Sequence, residues 1–281
     1  MTSSAELSSV PTSTATRKDT PTRAWPSAAL QCASVGACIV VWHLLTTHHV
    51  DFGFINFSLV PSPAQVAEAA WKLFGSPKLW RHLSSSLARV GCGFGGAAVL
   101  GVLLGLAIGR SRRARDILMP ALEMLRPIPA VAWIPLAILM FPSSEGSMIF
   151  ITFVGALYPI LLNTIQGAET LDPRLIAAAR SLGTPPLRLF VEVIVPGAAP
   201  SIATGLAIGM GTCWFCLITA EMIAGQYGIG YYTWESYTVQ KYPDILVGML
   251  LIGALGMGSS VLIRRLMQLL TPWHRPRAGE Q

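Results

Sequence analysis

Apolar residues in this chain come in runs of about the twenty that a helix needs to cross a bilayer, and short polar stretches rich in proline and arginine separate them. The runs predict six spans: Ser27 to Thr47, Leu87 to Gly109, Ile117 to Phe141, Met148 to Gln166, Ala198 to Ala224 and Ile245 to Leu270. No small-residue cleavage site closely follows the first, so it reads as a span and not as a signal peptide. The third holds Glu123, Arg126 and four prolines, Pro120, Pro127, Pro129 and Pro135. Proline removes a helix hydrogen bond and clashes with the preceding turn, so this span is expected to be broken or kinked.

The polar stretches carry their own signals. Residues 1–24 are rich in Ser, Thr and Pro, bury too little apolar surface to offset ordering, and are expected to form a disordered cytoplasmic tail. Residues 25–60 hold the first span and the start of an outer loop. Residues 61–270 form a core with five further spans, and 271–281 a cytoplasmic C-terminal tail. Between Val50 and Ser86 an amphipathic piece, Ala64 to Phe74, is expected along the membrane surface. Leu171 to Pro200 is the longest polar interruption in the second half. Asp172 suits an N-cap, Pro173 the first helical position and Gly183 a C-terminal cap, which predicts a short helix over Pro173 to Leu182. Thr184 and Pro185 start a second helix that Pro196 is expected to stop. Leu175, Ala178, Ala179 and Leu182 share one face of the first helix, a surface suited to docking another protein.

Composition agrees with the runs. Of 281 residues, 52% are hydrophobic and 12% charged, against about a quarter charged in a soluble domain. The chain is therefore read as an all-α polytopic membrane protein. Its formal charge of +6 matters less than where the basic residues fall. Fourteen lie in the N-terminal tail, the Arg110 to Asp116 turn, the Leu171 to Pro200 stretch and the C-terminal segment; Lys72, Lys78, Arg81 and Lys241 alone lie in the alternate loops. The positive-inside rule then puts both termini and the Leu171 to Pro200 stretch in the cytoplasm, and an even number of spans requires the same.

Several motifs have two readings. Gly91, Gly93 and Gly96 spell a dinucleotide fingerprint, but no strand precedes them. With Gly101, Gly105 and Gly109 they suit close helix packing, as do Gly205 and Gly209. Cys213 and Cys216 have redox spacing but sit within a span. His48, His49 and Asp51 form either a metal site or a solvated cluster. Arg126, Asn163, Gln166 and Glu221 are the polar residues at membrane depth and so the candidates for a translocation pathway. Arg126 either pairs with Glu123 one turn away or faces an anionic solute, and Glu221 either faces the pathway or snorkels outward. No phosphate-cradling loop, catalytic carboxylate pair, nucleophile triad or metalloprotease motif occurs, so any work against a gradient needs energy from another chain.

The Leu171 to Pro200 stretch resembles the coupling loop of ABC-importer permeases, two alanines after a glutamate, then a glycine, then a hydrophobic-x-hydrophobic-Pro ending. Ala178 and Ala179 take the alanine places, Gly183 the glycine, and Val193, Val195 and Pro196 the ending. Ala177 stands where the family usually has glutamate, which bears on an ionic contact to the ATPase and not on the helix. Arg126-Pro127-Ile128-Pro129, Pro135-Leu136, Asn163-Thr164, Gly167, Ala179 to Gly183, Thr204-Gly205-Leu206 and Ala220-Glu221-Met222 are similar to the nitrate/sulfonate/taurine group.

The resemblance implies a type I ABC-importer permease (MetI-like) fold and a bacterial inner-membrane location. It also implies a homodimer, two copies of a cytoplasmic ATPase and a periplasmic or lipid-anchored solute-binding protein. This chain would bind no cofactor, with ATP and Mg on the ATPase. Arg174, Ala177, Ala178, Ala179, Arg180, Ser181, Leu182, Gly183 and Pro196 would couple to that ATPase through loop 171–197, and the cargo would be a small anion. The rivals are an ion-gradient transporter, an importer of a non-anionic cargo such as a pyrimidine vitamin precursor, a membrane enzyme and a purely structural subunit. The short supply of buried acids speaks against the first, and the lack of a nucleophile, metal set or carboxylate pair speaks against the enzyme.

Overall fold

The computed structural model describes residues 27–48, 51, 53 and 57–271. The expected tail at 1–24, His49 and all but Thr271 of the expected C-terminal tail lie outside the described residues. Everything regular among them is helical: α1 Ser27–Thr47, α2 Pro63–Phe74, α3 Pro77–Arg110, α4 Arg112–Leu125, α5 Ile134–Met140, α6 Ser144–Glu169, α7 Pro173–Ser181, α8 Pro186–Leu189, α9 Val195–Ala224, α10 Ile229–Thr238 and α11 Tyr242–Leu270. A 3₁₀ turn, Ala130–Trp133, precedes α5, and a π turn, Phe190–Ile194, joins α8 to α9.

Glycines set how the central helices lie. A Cβ on Gly93 would meet Thr152 at 2.8 Å, one on Gly101 Ile160 at 3.0 Å, one on Gly105 Thr164 at 2.6 Å and one on Gly109 Ala168 at 2.7 Å. The partner number rises with the glycine's at one constant offset, so α3 and α6 run parallel, in register and backbone to backbone, as small residues allow in membranes. The same contacts between α6 and α9 run the other way. Gly155 meets Cys216, Gly167 meets Ser201, and Gly205 meets Asn163, so α9 is antiparallel to α6.

This register counts the spans. Five helices are long and apolar enough to cross a membrane, and α4 with the 3₁₀ turn and α5 forms a pair bent by 84°. Because α3 and α6 are parallel and level, the chain between Arg110 and Ser144 must return over the full length of the bundle. The bent pair makes that return, which gives the six spans expected. The bend falls in Arg126-Pro127-Ile128-Pro129, between Leu125 and Ala130, where the two prolines deny the helix its donors. Register also assigns the ends: Arg110 and Glu169, the last residues of α3 and α6, share the end that carries α7, while Pro77, Ser144 and Ala224 lie at the opposite one.

Three boundaries differ from the sequence reading. α3 starts at Pro77 rather than Leu87, and its 34 residues span about 51 Å, longer than a hydrocarbon core of about 30 Å. Its first turns therefore project beyond the bilayer. Pro196 does not stop a helix, because it lies in the first turn of α9, where a missing N–H costs nothing. The π turn before it brings the chain in without a break. The second helix of the module starts at Pro186, with Pro185 as its cap, one position later than expected. α10, to which the sequence reading assigned nothing, packs against α9 and α11.

α1 stands apart, most of its residues exposed and its indole Trp42 donating to Pro61 O (3.2 Å). α2 opens with a capping box at Ser62 and Gln65. It buries Val66 and Leu73 while Trp71 stays 83% exposed.

Candidate functional site

The helical module at one end of the bundle is closed by its own sequence. Asp172 Oδ1 accepts from Arg174 N–H (2.8 Å) at the start of α7. At its end Gly183 has φ +76°; its N–H donates to Arg180 O (2.9 Å) and that of Thr184 to Ala179 O (3.2 Å). Those two bonds make a Schellman cap, and glycine takes the left-handed conformation without strain. Ser181 Oγ donates to Ala177 O (3.0 Å).

Inward, Ile176, Leu189 and Ile194 are buried with Leu106, Ala168, Ala198 and Ile202 in one apolar cluster. The module is therefore packed onto the ends of α3, α6 and α9. Outward, Leu175, Leu182 and Leu187 are 57%, 86% and 75% exposed, and Arg174, Ala177, Ala178, Arg180, Ser181, Gly183 and Arg188 are exposed around them. Ala179 packs inward against the cluster, so three of the four residues expected on one docking face are free and the fourth anchors the helix. Pro196 is partly covered at the root of α9.

At the opposite end lies a charge network that the sequence reading did not assemble. Arg89 is 2% exposed and uses nearly its whole guanidinium. Nε and Nη2 donate to Glu145 Oε2 (2.8 Å) and Oε1 (2.5 Å), and Nη1 to Glu221 Oε1 (2.8 Å) and Tyr227 O (2.6 Å). Glu221, with no exposed surface, also accepts from the Ser86 hydroxyl (2.8 Å) and from Gly230 N–H (2.9 Å). His82 Nδ1 accepts from Gly228 N–H (3.1 Å), and Ser86 Oγ from Ile229 N–H (2.9 Å). Gly228 has φ +126°, and a Cβ there would strike the Glu221 carboxylate. The network ties α3, the start of α6, the end of α9 and the turn into α10, and every charge in it has hydrogen bonds, as burial demands.

Glu221 thus neither snorkels nor presents a free side chain to a pathway in this chain. Of the other candidates, Arg126 is exposed at the bend of the broken span and makes no ion pair with Glu123. Asn163 is half-buried, its Nδ2 donating to Pro159 O (2.8 Å), and Gln166 is exposed one turn further along α6. By the α6–α9 register Glu221 sits level with Ser147, about 24 Å from Asn163 along the helix axis. The four candidates do not form one site. Cys213 and Cys216 are buried free thiols, and Cys216 packs against Gly155. Among the described residues no three His, Cys, Asp or Glu side chains are grouped to hold a metal ion.

Residues 97–276 match the family described as the binding-protein-dependent transport system inner membrane component. The chain belongs to this family. It is a permease subunit of an importer, a multi-pass inner-membrane protein and not an enzyme, and membership implies an ATPase and a solute-binding protein as partners. It is 32% identical to the nitrate import permease protein NrtB of Synechocystis sp. over 88% of this chain and 90% of that one. It is also 32% identical to the taurine transport system permease protein TauC of Escherichia coli, over 89% and 92%. The putative aliphatic sulfonates transport permease protein SsuC of the same species is 35% identical, over 84% and 88%.

Proposed function

We propose that two copies of this chain form the pathway of an importer for a small anionic solute, and that the 171–197 module of each couples to one copy of a cytoplasmic ATPase. The observation that carries this reading is the outward face of α7, an apolar ridge of Leu175, Ala178 and Leu182 flanked by Arg174, Arg180 and Arg188 on a helix fixed to three spans. A groove with acidic rims on an ATPase would accept it. Ala177 contributes no charge at the place where the resembled coupling-loop pattern has glutamate, so contact rests on the ridge and the arginines.

Both termini and α7 then face the cytoplasm, in agreement with the arginine-rich turn at the same end as α7. ATP and Mg bind the partner, and the solute-binding protein meets the opposite end. ATP-driven closure of the ATPase pair moves the two α7 helices together, and the cluster beneath α7 carries that motion into α3, α6 and α9. Coupling requires the ATPase to bind the two states differently. Arg126, Asn163 and Gln166 are the polar groups we assign to the pathway, while Glu221 serves it by holding the outer ends of three helices. Nitrate, taurine and sulfonates, the cargoes in the relatives' names, are all small and each carries an anionic nitrate or sulfonate group, taurine as a zwitterion, and an unpaired Arg126 at the bend favours such a group.

The test is Gly183→Asp, made in the chain expressed with its ATPase and receptor. Uptake is expected to vanish while the chain remains in the membrane. Transport at the native rate with normal ATPase association would remove the docking assignment. Titrating the co-purified receptor with nitrate, taurine and an alkanesulfonate then identifies the cargo.

A further inference from the structure

Where α3 turns into α4, a pocket of about 360 Å³ is lined by Ile108, Gly109, Arg110, Ser111, Arg112, Arg115 and Glu169. Ser111 serves at once as the C-cap of α3 and the N-cap of α4, its Oγ accepting from Ala114 N–H (3.3 Å). The N–H groups of Arg112 and Arg113, in the first turn of the 14-residue α4, point out of the helix without a partner in it, and an N-terminus of this kind favours an anion. Arg115 pairs with Glu169. The Arg110 and Arg112 side chains form no ion pair or hydrogen bond with any described residue, although both line the pocket. Ile108 and the apolar residues of α4 that pack beside it, Leu118, Met119 and Leu122, put the pocket at the border where the apolar bundle ends. That is the depth of a phospholipid headgroup.

We propose that this pocket binds the phosphate of an anionic phospholipid in the leaflet on the side of α7. Arg110 and Arg112 face its oxygens, the first turn of α4 adds N–H donors, and the acyl chains run down the exposed flank of α3 past Leu103 and Val99, which are 60% and 63% exposed. The Arg115–Glu169 pair forms the back wall. Glu169 ends α6 just before the Asp172 cap of α7, so a lipid seated here lies at the root of the module. The site does not depend on which side of the membrane α7 faces, nor on the cargo.

The full-length chain, purified in mild detergent, is offered phosphatidylglycerol or phosphatidylcholine, and the lipids retained are counted by native mass spectrometry. Phosphatidylglycerol is expected to be held about 20-fold more tightly than phosphatidylcholine, and Arg110→Gln with Arg112→Gln to abolish most of that preference, since each basic residue near a headgroup contributes appreciably. Equal retention of the two lipids by the native chain overturns the proposal without any variant. So does an unchanged preference in the double variant, or the same loss from Arg264→Gln with Arg265→Gln, which would make the effect one of overall charge. Displacement of phosphatidylglycerol by millimolar inorganic phosphate would assign the pocket to a free anion and overturn the lipid reading; persistence of the bound lipid supports it. Uptake measurements play no part, so this result is separable from failure of the proposed function.

Discussion

Replacing Arg89 by methionine keeps an unbranched apolar stem and removes the guanidinium with its charge, and the geometry says what is left behind. Glu221, with no exposed surface, retains the Ser86 hydroxyl and the Gly230 N–H and loses the one cation paired with it among the described residues. Glu145 loses the same partner, but its side chain is 61% exposed and water replaces the arginine. Breaking a buried pair by removing one member costs about 3–5 kcal/mol, whereas an exposed pair contributes about 0–1 kcal/mol. Arg89→Met should therefore destabilise the purified chain by about 3 kcal/mol or more, and Glu145→Gln by about 1 kcal/mol or less. Arg89→Met combined with Glu221→Leu removes both buried charges and should recover about 2 kcal/mol of the loss, since an apolar replacement of a buried pair is often neutral. Denaturation in mixed micelles, followed by circular dichroism for the native chain, Arg89→Met, Glu221→Leu and their double variant, gives the coupling directly, with Glu145→Gln measured beside them. If Arg89→Met is no worse than Glu145→Gln, or the double variant is simply the sum of its parts, the buried pair is not what joins α3 to α9.

Two further outcomes follow from the helix contacts. Gly105→Ala should cost about 1–3 kcal/mol, because its Cβ would lie 2.6 Å from that of Thr164, while Gly95→Ala, with nothing within 4 Å, should be neutral or slightly stabilising; thermal inactivation in detergent compares them. Gly228→Ala meets both a left-handed backbone and the Glu221 carboxylate, and should lower the unfolding temperature more than either, whereas equal stability would mean that the turn moves freely off Glu221.

How much of this was legible depended on whether the cause was local. α1 and α6 lie near their expected bounds because an unbroken apolar run is a local property, and the break in the third span follows from Pro127 and Pro129 alone. The cap at Gly183 is equally local. Arg89 escaped notice because the apolar residues after it concealed a side chain whose partners, Glu145 and Glu221, lie far away in sequence; a lone arginine near the start of an expected span was the available signal. The early start of α3 has the same origin, since His82, Ser86 and Arg89 are polar yet buried against other helices. Pro196 differs from its expected role because proline stops a helix from within but is tolerated in a first turn, and the π turn before it is what places it there. Leu175, Ala178 and Leu182 of the expected face of α7 are exposed and Ala179 is not, because the position of the cluster beneath, not the spacing along the helix, decides which side is inward.

The central claim is that the exposed ridge of α7 is where this permease meets its ATPase. A photo-crosslinking amino acid placed at Leu182, and in a control at Val99 on the lipid-facing flank of α3, is illuminated in native membranes with and without ATP. The account predicts that the Leu182 probe captures an ATP-hydrolysing subunit with a yield that changes on adding ATP, and that the Val99 probe does not. Capture of no ATPase at Leu182, or of the same partner equally from Val99, would contradict it.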